Sequence, residues 1–70
     1  MIASEALNLL KTVKKTNEPC KANPCMTMRE AVTAVENGIK KLVSSRGDID
    51  LKDYCRGVYE IRVNQLVGGK

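Results

Sequence analysis

Three cysteines, an Asp48-Asp50-Asp53 cluster and two groups of lysines are the features of this 70-residue chain whose types and spacing could do chemistry. Cys20 and Cys25 form a C-x4-C pair, and Cys55 follows well downstream. Thiolates can hold zinc, but a closed structural site needs four ligands, and the chain has no histidine to complete the set. A carboxylate or a second subunit would have to supply the rest. Cys20 and Cys25 therefore read as reduced thiols or a simple disulfide before they read as a metal site, and no cofactor is expected.

The aspartates lack the later bidentate glutamate of a calcium loop, so helix capping explains them better. The missing histidine also removes the commonest general base. Neither a glycine-rich phosphate loop nor a nucleophile beside an activating group is evident, which leads to the expectation of a non-enzyme.

Lys11, Lys14 and Lys15 fall at the end of a helical pattern, where cations complement the negative helix terminus. The alternative role for them is contact with phosphates, which Lys40 and Lys41 could share. Twelve Lys and Arg against eight Asp and Glu give a net charge of +4, a balance that favours acidic partners in general.

These groups must be positioned by a small apolar framework. Hydrophobic residues make up 43% of the chain, yet Phe and Trp are absent and only two tyrosines supply aromatic bulk. A core of Leu, Ile, Val, Ala and Met buries less area per side chain, so the chain is expected to self-associate, as a homodimer or homo-oligomer, or to bind another protein. No apolar run approaches the roughly 18 residues that suggest a membrane span, and the first residues lack a secretion signal, so a cytoplasmic protein is expected.

The expected fold is all-α, a single domain over 1-70 built as a three-helix bundle with helices at about 2-15, 28-44 and 51-66. In the first, Ala3, Ala6, Leu10 and Val13 recur at helical spacing. Residues 16-27 form a loop in which Pro19 and Pro24 restrain the backbone beside each cysteine. Thr27 and Glu30 then match a capping box. Beyond them Val32, Val35, Ile39 and Leu42 gather on one face while Glu36, Lys40 and Lys41 gather on the other. Glu36 and Lys40 have the favourable four-residue spacing of a helical ion pair, worth about 0.2–0.5 kcal/mol.

Gly47 closes this helix and Asp50 caps the next, with Ile49 and Tyr54 spaced as a hydrophobic staple. One helix through the last segment puts Leu51, Tyr54, Cys55, Val58, Tyr59, Ile61 and Leu66 on a broad apolar face. On that phase Arg62 projects only about 20° from Leu51. A long side chain there either snorkels to water or meets a carboxylate or phosphate at an interface. Residues 58-64 also alternate as a strand would, but no second strand is evident to pair with, which favours the helix.

A helix-turn-helix fails on inspection, because the apolar spacing runs through Gly38 instead of turning there. The expected function is a small non-catalytic protein–protein interaction module, a regulator or inhibitor that occupies a partner's surface. Arg62, Tyr59, Lys40 and Lys41 are the expected partner contacts. The alternative is a small basic nucleic-acid-binding regulator, with Lys11, Lys14 and Lys15 on phosphates.

Overall fold

A computed structural model describes residues 1–21 and 23–68; Ala22, Gly69 and Lys70 lie outside the described residues. Three α-helices pack together: α1 (Ala3–Lys11), α2 (Met28–Arg46) and α3 (Val58–Gly68). Two 3₁₀ turns, Leu51–Asp53 and Cys55–Gly57, lead into α3. The all-α three-helix bundle expected from the sequence is the observed architecture. Residues 58-64 are helical, which removes the strand alternative.

The start of α2 is fully capped. The Thr27 hydroxyl oxygen accepts from the Glu30 amide at 3.2 Å, and the Glu30 carboxylate accepts from the Thr27 amide at 3.2 Å. The amides of Met28 and Arg29 donate to the carbonyls of Glu18 and Thr16 at 2.9 and 3.0 Å. The 16-27 loop thus satisfies donors that a helix start otherwise leaves unpaired. α2 continues unbroken through Gly38 and closes at Gly47, whose φ of 82° favours glycine.

α1 is shorter than the pattern over 2-15 suggests. The Thr12 hydroxyl turns back onto the Leu9 carbonyl at 2.7 Å, and the helix tightens and stops. Only Lys11 lies in its last turn, so helix-end stabilisation does not account for Lys14 and Lys15. The N-cap, Ile2, has no side chain able to cap. The cap comes from a segment remote in sequence, just after α2: the Ala3 amide donates to the Ile49 carbonyl at 2.8 Å and the Ser4 amide to Asp48 Oδ1 at 2.7 Å.

Leu10, Val32, Ile39, Leu51 and Val63 are the largest fully buried side chains, and Ala3 and Ala6 let α1 sit close against the other helices. Glu36 departs from expectation. It is only 8% exposed, and it pairs with Lys15 Nζ at 3.0 Å rather than facing solvent beside Lys40.

The segment before α3 is the main correction. Asp50 does act as a cap, accepting from the Lys52 amide at 3.0 Å, but the element it starts is a single 3₁₀ turn. Cys55, Arg56 and Gly57 then take φ values of 49°, 56° and 76°. A helical phase cannot pass through left-handed residues, so α3 begins anew at Val58 with its faces rotated relative to Leu51. Cys55 consequently lies exposed instead of on an apolar face, and Val58 and Ile61 turn outward. Val63 and Leu66 carry the buried side of α3.

Candidate docking groove beside the third helix

The rotated α3 creates the surface with the most unspent chemistry. Val58 and Ile61 are 41% and 55% exposed, and Arg62 and Gln65 are exposed beside them. Their spacing of three, four and seven residues puts these side chains on one stripe of the helix, which covers about 10 Å along the axis at 1.5 Å per residue.

Next to this stripe a groove of about 240 Å³ runs between α3, α2 and the 16-27 loop. Its floor is Cys20, Met26, Val35 and Leu66, and its α2 wall is Ala31 and Ala34. Asn23, Arg62 and Gln65 complete the lining. Arg62 is the one charged residue among the lining residues, and no carboxylate is present there. The loop is held in shape by its own backbone: the Cys20 amide donates to the Met26 carbonyl at 2.8 Å, and the Asn23 and Met26 amides close turns onto Cys20 and Asn23 at 3.2 and 3.0 Å.

Among the described residues the ion pairs are those of the Met1 ammonium with Asp50 and Glu60, and of Lys15 with Glu36. Arg62 therefore has no carboxylate partner among the described residues. Glu30, next in sequence to the alanine wall, is occupied by its bonds to Thr27.

The other residues singled out from sequence are dispersed. Tyr59 is half-buried, with its ring over Gly38 and its centroid 6.1 Å from that of Tyr54. Lys40 and Lys41 are both exposed on α2. At about 100° per residue, Lys41 follows the line of Ala34 two turns on, whereas Lys40 points about 120° away from it. Lys11 and Lys14 are exposed near the end of α1, and Lys15 is engaged by Glu36.

Cys20, Cys25 and Cys55 are all free thiols, Cys20 buried and the others exposed. No group of three or more His, Cys, Asp or Glu among the described residues is arranged to hold a metal ion. A second, more open depression is lined by Arg46, Ile49, Asp50, Asp53 and Tyr54. Its chemistry is already used: the Arg46 guanidinium lies 5.5 Å over the Tyr54 ring, and Asp50 accepts from the Met1 ammonium at 2.9 Å.

Electrostatic shifts follow these contacts. Glu60 and then Asp50 hold the Met1 ammonium pKa above its ordinary value by accepting its hydrogen bonds. The same ammonium, with the Lys52 amide, holds the Asp50 carboxyl below the usual range. The neighbouring Cys55 thiol raises the Tyr54 phenol. The Met1 and Asp50 shifts report the docking of the N-terminal ammonium, and none of the three groups lines the groove.

The exposed stripe was not legible from sequence, because Val58 and Ile61 were assigned to the apolar face by a helix carried through residues 55–57. Gly57 is the one compositional signal of the left-handed run; Cys55 and Arg56 before it give none.

Comparison with protein-family models, with curated proteins and with solved structures finds no match.

Proposed function

We infer that this chain is a non-catalytic protein–protein interaction module, a small regulator or inhibitor that occupies a partner's surface with the outer face of α3 and the adjoining groove. One observation carries the reading: exposed Val58 and Ile61 lie beside a groove with an apolar floor, lined also by Arg62, which has no ion pair among the described residues. Arginine is enriched at the energetic centres of protein interfaces, and the fully buried core of an interface patch is apolar.

Arg62 then makes the central polar contact, and Lys41 reaches the same side of the module. Lys40 and Tyr59 become peripheral, the first by its direction on α2 and the second because its ring is engaged with Gly38. The three free thiols suit the reducing cytoplasm, where the module would act. No described helix is long and apolar enough to cross a membrane.

The test is affinity capture from the native host with two baits, the natural chain and Ile61→Asp, after circular dichroism has established equal helicity. A protein held by the first bait and lost from the second supports the module. Identical capture by both contradicts it.

A second reading, nucleic-acid binding through Lys11 and Lys14, keeps some support because both are exposed and neither is ion-paired among the described residues. Duplex binding that weakens steeply with salt and is lost in Lys11→Glu/Lys14→Glu would favour it.

A further inference from the structure

If α3 and the groove form the contact face, as inferred above, their chemistry constrains what can bind. The groove volume of about 240 Å³ lies below the roughly 300–1,000 Å³ of sites that enclose a small molecule. That volume suits an anchoring side chain presented by a larger partner. The stripe from Val58 to Gln65 spans two helical turns, so a partner helix laid along it can present anchors three, four and seven residues apart.

Charge decides the partner's sign. Arg62 is the only charged lining residue, and it has no ion pair among the described residues. Asn23 and Gln65 can donate from their amides but add no negative charge. A carboxylate arriving beside Arg62 gains a bidentate, charge-assisted pair in a partly dry setting, whereas a cation meets only repulsion.

A second copy of the chain fits poorly. Ile61 and Arg62 lie in the middle of the stripe, so a twofold pairing of α3 helices brings the two guanidiniums together near the axis. The net charge of +4 adds to that opposition.

We propose that the groove and the Val58–Gln65 stripe bind an acidic amphipathic helix of a partner protein, with one apolar side chain entering between Val35 and Leu66 and an adjacent carboxylate pairing with the Arg62 guanidinium. The apolar contact supplies affinity, and the Arg62 pair selects acidic segments over basic ones.

The experiment uses the full chain and three model helical peptides: leucines at the anchor spacing with flanking glutamates, the same leucines with flanking lysines, and the glutamate peptide with its leucines scrambled. Backbone amide NMR locates binding, and fluorescence anisotropy measures it. The glutamate peptide is expected to shift the amides of Ala34, Val35, Arg62 and Gln65. Arg62→Ala should weaken it at least about tenfold, the effect of losing a charged hydrogen bond, and Arg62→Glu should transfer preference to the lysine peptide. Ala34→Glu, a change at an exposed helical position, should also weaken the glutamate peptide if the groove is used.

Equal binding of the lysine or scrambled peptides overturns the proposal, as does the absence of groove shifts with every peptide. A dimer in sedimentation that Ile61→Asp dissociates also overturns it, because a second copy would then hold the surface. If Ile61→Asp abolishes capture of a native protein while the glutamate peptide fails to bind, the interaction module stands and only the acidic helix is lost.

Discussion

The ring of Tyr59 lies where a β-carbon on residue 38 would be: such a carbon would stand 2.8 Å from both Cε1 and the hydroxyl oxygen of Tyr59. Gly38 costs α2 about 1 kcal/mol of helix propensity relative to alanine. In exchange it lets the ring, which also stacks obliquely on Tyr54, close over the helix. The two positions should therefore be coupled. Gly38→Ala is expected to stabilise a Tyr59→Ala background by about 1 kcal/mol and to give little or no gain when Tyr59 is present. A double-mutant cycle by urea unfolding checks this, and strict additivity would refute the contact.

The left-handed residues before α3 should respond in opposite directions. Arg56, at φ 56° and ψ 31°, holds a conformation that costs an L-residue about 1–2 kcal/mol, part of which glycine recovers. Arg56→Gly is expected to raise stability by about 0.5–1 kcal/mol. Gly57→Ala should lower it by about 1–2 kcal/mol, through backbone conformation rather than space, since the nearest atom, the Lys52 carbonyl oxygen, lies 3.6 Å from the added carbon. Thermal melts of both variants decide the point.

Glu36 and Lys15 should behave asymmetrically. The carboxylate is largely buried, while the lysine side chain is 40% exposed, so solvent screens the pair and limits its net worth. Lys15→Ala leaves a buried carboxylate without its partner and should cost about 1 kcal/mol, whereas removing both charges together should cost less than the sum of the single changes. Denaturation at low and high salt reads the same coupling, which should shrink as salt rises.

Stability should fall at both ends of the pH scale. The Asp50 pKa is held below its ordinary 3.8, so its contribution is complete above that value and is lost as pH falls through the lower folded-state value. The Met1 ammonium pKa is held above 8.0, so its contribution is complete below 8.0 and is lost as pH rises through the higher folded-state value. Asp50→Asn should flatten the acid limb while keeping an oxygen to cap Lys52, and Glu60→Gln should flatten the alkaline limb more than Asp50→Asn does. Melting temperatures across pH check both.

These relationships also show where sequence reading succeeds. α2 was legible because its start signal, Thr27 and Glu30, its apolar face and its Gly47 stop are local. The cap of α1 was hidden because Asp48, 44 residues on from Ser4, supplies it to a helix whose own N-cap is Ile2. The burial of Glu36 depends on Lys15 reaching it from another segment, and Gly38 has no meaning until Tyr59 is placed over it. Arg62 was singled out from a helical phase that the left-handed turn replaces, and it arrives at the groove mouth by a different geometry. The groove itself joins the 16-27 loop, α2 and α3, so no local pattern announces it.

The central claim is that binding runs through the outer face of α3 and not through the lysines near the end of α1. The most direct measurement is the equilibrium affinity of a captured native partner for folded Ile61→Asp and for folded Lys11→Glu/Lys14→Glu, each against the natural chain. The account predicts loss of binding in the first variant and near-natural affinity in the second. Near-natural affinity in Ile61→Asp together with loss in the lysine variant would contradict it.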